Sequence, residues 1–491
     1  MKSLLSVLLL AACTNAVAQM KVAELPSKSP LVTFRIVFTT GSAADPPEHP
    51  GLAYLTAMML ADGGTREMTY KQIVDAMYPM ATSVHAQVDK EMTTFSGETH
   101  VDNLDAYYKL LRAMLLDPGW RADDFKRVKE DAINFLRVSL RGNNDEELAK
   151  EVLYQNIYQG TPYGHYSVGT VSSLEKITLQ QVKDFYHQQY TQANLILGLA
   201  GGFPPAFLET MKTDFHKLPE GPGFRPRAQN PALIEHTRAV IVDKDTRSVA
   251  YSIGFPISVT RPRNEFVPLL VATSYFGQHR MSGGVLYDAM REKRGLNYGD
   301  YAYIEYFPRG MFQFEPSPNL ARQYQIFQLW IRPVEPPTAK FTLRLALYEL
   351  NKLVKNGISE EDFERTREFL GKYANVLERT DSAALGYAID SLYYSIPPYK
   401  QYLKTRLASL TRDEVNAAIR RYIRTDKLVI VAVGKDGEEL KKELTSSDPS
   451  PMTYNSPKPA AITEEDKTVA QWPIGLRAED VTVVPVGQVF Q

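Results

Sequence analysis

The chain has 491 residues, 44% hydrophobic and 23% charged, the composition of an ordinary globular protein, and its length suits roughly two to three domains. Its 56 Lys and Arg against 57 Asp and Glu leave a net charge of −1, so no overall field draws it to nucleic acid or to an anionic membrane. Cys13 is the single cysteine, which excludes an internal disulfide framework, a thiolate zinc cluster and a Cys/His catalytic pair; a metal site has to be built from His, Asp or Glu.

Residues 1–18 read as an export signal. Lys2 precedes an apolar run from Leu4 to Ala12, and Ala16-Val17-Ala18 gives a small-residue cleavage pattern before Gln19. The run falls short of the about 20 apolar residues that span a bilayer. Leu10-Ala11-Ala12-Cys13 also resembles a bacterial lipobox, under which Cys13 becomes a lipidated first residue. Soluble export and a lipid anchor through Cys13 are the two readings of this segment, and both place the mature chain in a bacterial periplasm.

The run Leu31–Thr39 alternates as a half-buried strand and stops at Gly41-Ser42. Asp45-Pro-Pro-Glu-His-Pro50 breaks the pattern. From Gly51 to Ala61, Leu52, Leu55, Met58 and Met59 recur at helical spacing until Asp62-Gly63-Gly64 ends the helix. Thr69 to Met77 predicts a second helix and Ala81 to Glu98 a hairpin. Leu104–Leu116 and Ala122–Arg141 predict longer helices, the latter carrying mixed charge on one side.

Pro219 to Pro231 holds four prolines and two glycines, too many for the interior of an element, and reads as a linker. Beyond it the chain begins again. Thr178, Val182, Leu195 and Gly201 recur as Thr411, Val415, Leu428 and Gly434, a constant displacement of 233 residues (411 − 178). So long a displacement indicates two homologous domains rather than a solenoid. The expected organisation is a signal peptide over 1–18, a first domain over 19–218, a linker over 219–232, a second domain over 233–442, and a tail over 443–491 that packs back on the body through Val481–Val486.

Gly41-Ser42, the helix Gly51-Leu-Ala-Tyr-Leu-Thr-Ala-Met-Met-Leu, Gly64-Thr65, Thr161-Pro-Tyr-Gly164, Gly169-Thr170, Arg291-Glu-Lys-Arg-Gly-Leu-Asn-Tyr298 and the end Val486-Gly-Gln-Val-Phe490 together resemble the pitrilysin/insulinase family of metallopeptidases, the inverzincins. The likeness covers nearly the whole mature chain. It implies an α+β fold of two homologous domains, each a mostly antiparallel sheet with helices packed on one face. Active members carry H-x-x-E-H on the first helix, where two His at i and i+4 share a helical face and hold zinc beside a Glu base. By the resemblance those positions fall here on Tyr54, Ala57 and Met58, and the third ligand falls on Phe135. A neutral phenol is a poor zinc ligand, Ala and Phe offer no lone pair, and a thioether suits softer ions. The expectation is therefore a degenerate zinc site, with no cofactor of the chain's own.

No other chemistry replaces it in the sequence. The eight histidines include no i,i+4 pair, and Glu48-His49, beside the degenerate helix, reads as a surface turn. Neither a G-x-S-x-G elbow nor a phosphate-binding glycine pattern occurs. What the resemblance keeps is the Arg/Tyr pair of the family's second, zinc-free domain, here Arg291 and Tyr298. An Arg binds peptide carbonyls and a Tyr hydroxyl donates to an oxygen on which charge develops. The family includes heterodimers in which one subunit brings the zinc helix and the other this pair. The implied function is a substrate-binding subunit of an exported zinc endopeptidase, with a zinc-bearing homologous subunit and an extended peptide as partners, zinc only in that partner, and no nucleic acid. The rival reading is a scaffold that kept the fold without a proteolytic role. An independent peptidase with a novel metal site is disfavoured by the missing ligands.

Overall fold

The computed structural model describes residues 20–224, 230–278, 283–309 and 316–491. The signal segment with Cys13, residues 225–229 of the linker and His279 lie outside them. The strands are β1 (Lys21–Pro26), β2 (Leu31–Phe38), β3 (His85–Val88), β4 (Thr93–His100), β5 (Leu195–Gly201), β6 (Arg238–Asp243), β7 (Val249–Ile257), β8 (Asp300–Tyr303), β9 (Gln325–Val334), β10 (Val429–Gly434) and β11 (Val481–Pro485). The helices that bear on the site are α1 (Leu52–Ala61), α2 (Ala122–Asn134), α3 (Asp145–Ile157), α4 (Leu179–Gln189), α5 (Asp381–Tyr394), α6 (Arg412–Tyr422) and α7 (Ala460–Val469).

The first sheet has the order β1-β5-β2-β4-β3 and the second β11-β6-β10-β7-β9-β8. Apart from β11, the second order repeats the first strand for strand. The directions repeat too: β1 is parallel to β5 as β6 is to β10, and the remaining pairs of this shared order are antiparallel. The entry into each central strand repeats in detail. Thr178 and Gln181 form a capping box at the start of α4, and Thr411 and Glu414 form one at the start of α6. Each box satisfies two backbone N–H groups that a helix start leaves unpaired. The α+β class and the duplication both hold in the structure.

Alternation along β2 assigns its faces. Phe34 and Phe38 pack on one side against Tyr107 and Tyr190, with ring centroids 5.4 and 4.5 Å apart. Val37 points the other way and joins Ile196, Ala200, Leu385 and Ile389 in a separate buried cluster. Leu385 and Ile389 belong to α5, so a helix from the second half covers the back of the first sheet. Gly198 on β5 makes room for it, because a Cβ there would lie 2.8 Å from Ile389 Cδ1. Reciprocally α3, from the first half, lies on β7, β9 and β10. Each sheet thus adds to its own helices one borrowed from the other half.

This exchange brings charged groups into the seam between the halves. Asp89, Lys90 and Glu91 form the β3–β4 turn, and all three are buried. Arg322 donates to both Asp89 oxygens, from Nε at 2.6 Å and from Nη2. Its guanidinium lies over the rings of Tyr306 and Tyr154, at 3.9 and 4.7 Å. Glu91 accepts from Gln323 N at 2.9 Å and from the Tyr393 hydroxyl. On α3, Lys150 donates to Phe307 O at 2.7 Å, and Glu147 accepts the Arg309 N–H at 2.9 and 3.0 Å. A buried ion pair adds little over an apolar contact, but removing one partner strands the other charge. Arg322→Ala is therefore expected to cost about 3–5 kcal/mol in urea unfolding, with Asp89→Asn costing less because the amide still accepts one bond.

Candidate functional site

The start of α1 is fixed by two devices. Gly51 takes φ 96° and lies back to back with Gly169, where an added Cβ would meet Gly51 Cα at 2.9 Å and Pro50 O at 2.3 Å. The Asp45 carboxylate accepts from Gly51 N and Ala53 N, both at 2.7 Å, a stabilising negative charge at a helix N-terminus. Asp45 also accepts from or pairs with His165 Nε2 at 3.1 Å. Burial holds His165 below the usual imidazole range, which favours the neutral ring donating to the carboxylate. His49 accepts from Gln181 Nε2 at 2.7 Å and is a packed structural residue rather than a ligand. It stays in the turn before α1, half-buried against α4.

Most of α1 is buried, including Ala57, but Tyr54 and Met58 are only partly so and lie one turn apart on the same face. The spacing that would hold two histidines together on zinc is kept, and its donors are gone. Burial pushes the Tyr54 phenol up to about 12, helped by Asp62 and opposed by the Arg309 cation, so it stays a neutral hydroxyl. Asp131 bears on the same phenol from α2, one helical turn before Phe135, and α1 packs against α2. The predicted helix 122–141 stops at Asn134 and continues as a π-turn, Phe135–Leu140, with Arg141 N donating to Leu136 O five residues back. An inserted residue of this kind re-aims the side chains that follow it. Neither Ala57 nor Phe135 has a lone pair to offer, and neutral Tyr54 and the Met58 thioether do not make up a zinc set. The residues at this place do not fit the ion. Among the described residues no group of three or more His, Cys, Asp or Glu could hold a metal.

The second half does bring Arg291 and Tyr298 together. Arg291 sits in the π-turn Tyr287–Glu292 and donates to the Tyr287 hydroxyl, with its guanidinium 5.6 Å from the Tyr298 ring centroid. Tyr298 is 75% exposed, so it is no core aromatic of the strand that follows. Between them the chain turns back at Gly295, φ 69°. Gly295 N donates to Arg291 O at 2.8 Å, the single bond of an αL C-cap, and Leu296 N reaches back to Met290 O at 3.0 Å. The Asn297 side chain then bridges to Asp300 at 2.7 Å, to Arg332 O at 3.1 Å and to Gly299 N at 3.1 Å. Sequence reasoning missed Tyr287, although its i,i+4 spacing to Arg291 is a legible signal, and it missed Asn297 and Asp300, whose roles depend on β9.

The family model described as "Insulinase (Peptidase family M16)" matches residues 21–171, and that described as "Peptidase M16 inactive domain" matches residues 176–370. The chain belongs to the M16 insulinase family. Its relatives include a "Non-peptidase homolog YmxG" of Helicobacter pylori, 20% identical over 82% of this chain and 89% of that one. Another is a "Probable mitochondrial-processing peptidase subunit beta" of Arabidopsis thaliana, 21% identical over 51% of this chain and 47% of that one. Among solved structures, a peptidase M16 inactive domain from Pseudomonas fluorescens superposes with a TM-score of 0.73 at 22% identity, covering 84% of this chain and 95% of that one. A chain of complex III2 from Candida albicans does so with a TM-score of 0.67 at 15% identity, over 84% and 93%. The resemblance read from the motifs is thereby established.

Asp300 supplies a pH test of the site. Burial pushes its carboxyl up to about 8, with Glu146 adding to the shift and the Asn297 bond and Arg332 opposing it. The unfolded chain releases this proton near pH 4. From about pH 4 to 8 the native state holds more protons than the unfolded state, so stability falls as pH rises through this window and levels off above it. Asp300→Asn keeps an acceptor for Asn297 and is expected to remove that fall. Relative to wild type it gains on the order of a few kcal/mol between pH 4 and pH 8 in urea melts.

Proposed function

We propose that this chain is the non-catalytic, substrate-binding member of an exported two-subunit zinc endopeptidase, in which a homologous partner carries H-x-x-E-H and this chain lends Arg291 and Tyr298. The supporting observation is the asymmetry between the two places. The helix face that would bind zinc keeps its i,i+4 geometry with a phenol and a thioether on it, whereas the Arg/Tyr pair keeps both its groups, with an exposed hydroxyl and a guanidinium beside it. Such groups bind and polarise a peptide without generating a nucleophile. Arg291 would hold a backbone carbonyl, and Tyr298 would donate to the oxygen that gains charge when the partner's zinc site attacks. The name of the Arabidopsis relative, a peptidase subunit, supports a role within an assembly. Export rests on the signal-like residues 1–18, with a lipid anchor at Cys13 as the variant of that route.

A second reading, the scaffold without a proteolytic role, draws on the fold shared with a chain of complex III2. One reconstitution separates the two. The chain alone, after metal analysis, is expected to leave an unfolded polypeptide uncut, and with an H-x-x-E-H partner to support turnover. Arg291→Gln and Tyr298→Phe are each expected to lower kcat/KM of the complex by about 10²- to 10³-fold while size-exclusion chromatography shows assembly intact. Unchanged turnover in both variants favours the scaffold, and hydrolysis by the isolated chain refutes both readings.

A further inference from the structure

The turn that carries Arg291 and Tyr298 is also gripped from behind, by a residue that touches neither. The Arg294 side chain is fully buried. Its Nε donates to Asp466 at 2.8 Å, its Nη2 to Glu465 at 2.8 Å, and its Nη1 to Ala289 O at 2.9 Å. Both carboxylates lie on α7, in the C-terminal tail. Each is itself anchored, Asp466 by the Tyr454 hydroxyl at 2.7 Å and Glu465 by Lys352 at 3.2 Å. One guanidinium therefore closes the end of the π-turn and fastens it to a helix some 170 residues away. The three bonds use both edges of the guanidinium, a planar fork that a lysine ammonium does not reproduce.

From α7 the chain runs on to β11, which pairs in parallel with β6 at the edge of the second sheet, and then crosses to the first half. There Val171 N donates to Phe490 O at 3.0 Å and Ser172 N to Gln491 O at 2.7 Å. Gly487 O accepts from Arg141 at 2.7 Å, the residue that closes the Phe135–Leu140 π-turn. The tail is thus tied at one end to the Arg291–Tyr298 turn and at the other to the π-turn that begins at Phe135. Two places that belong to different halves are joined by one continuous segment held through buried arginines.

We propose that the C-terminal segment is a strap that sets the Arg291–Tyr298 turn in place, with Arg294 as its positioning residue. The proposal deepens the peptide-binding reading and, in its consequence for peptide affinity, rests on it. Arg294 has no access to a peptide and acts through the turn. Loosening its grip frees the loop between the π-turn and β8 to fluctuate, and a binding pair displaced by about an ångström loses much of its effect.

The full chain is tested by hydrogen-exchange mass spectrometry and by binding of fluorescein-labelled, reduced and carboxymethylated α-lactalbumin, an extended polypeptide probe. The variants are Arg294→Lys and, on the tail, Glu465→Gln with Asp466→Asn. In both, amides of residues 290–299 are expected to exchange about tenfold faster or more, with β7 and β9 as protected as in wild type, and the probe to bind about tenfold more weakly. The tail variant matters most, since it alters nothing on the turn itself. Unchanged exchange over 290–299, or an equal loss of protection across the whole second sheet, overturns the strap. If exchange rises but Arg291→Gln and Tyr298→Phe bind the probe like wild type, the strap stands and the peptide-binding role of the pair falls.

Discussion

Taking a guanidinium and a carboxylate out of water costs several kcal/mol per ion, and the Asp89–Arg322 pair meets that cost with two N–H bonds and two tyrosine faces around the cation. The pair joins the β3–β4 turn of the first half to the segment leading into β9 of the second. Each group is tolerated only while the other is opposite it, so the relative placement of the halves is held to one arrangement. The exchanged helices depend on that placement. α5 can cover the back of the first sheet, and α3 the second, only if the sheets stand where this contact puts them. Burial raises the carboxyl of Glu151 and lowers the ammonium of Lys90 in the same seam, which marks how completely water is excluded there.

With the halves fixed, the two candidate places lie at different points of the duplicated fold, one on the first helix after β2 and the other on the turn just before β8. In the first half, α1 presents its one partly exposed face against α2, and the face offers Tyr54 and Met58. In the second half, the short helix beside the edge strand β8 ends in a tight turn that leaves Tyr298 in solvent next to a cation. A phenol pushed up by burial and an exposed phenol near a guanidinium are the same functional group in two states of usefulness. The first is packing. The second keeps its ring in solvent.

Much of the fold was legible. The strand β2, the helix α1 ended by Asp62-Gly63-Gly64, the helix Tyr70–Met77 with its Thr69 cap and the strand near Val481 each arise from local sequence, since a turn of helix or a pleat of strand is decided by neighbours a few residues away, but β2 is buried on both faces rather than half-buried because α5 covers its back. The duplication was legible because its two capping boxes and two aliphatic strands keep a constant displacement. Strand β1 was not, for its ladder is a parallel one to β5, far along the chain. The π-turn at Phe135 was not, because helical periodicity runs through it with one extra residue. Asp89-Lys90-Glu91 falls inside the predicted hairpin, and only the second half packed over it makes this charged turn interior.

Sequence by itself determined the family, the two-domain duplication, and the chemical poverty of the positions aligned with the zinc ligands, because the identity of a side chain decides whether a lone pair exists to bind a cation. Tertiary structure alone decided which helix covers which sheet, that Arg322 stands opposite Asp89, and that Arg294 is tied to Glu465 and Asp466. Those are contacts between residues distant in the chain. Their energies come from burial and charge pairing between distant segments, which no local pattern encodes.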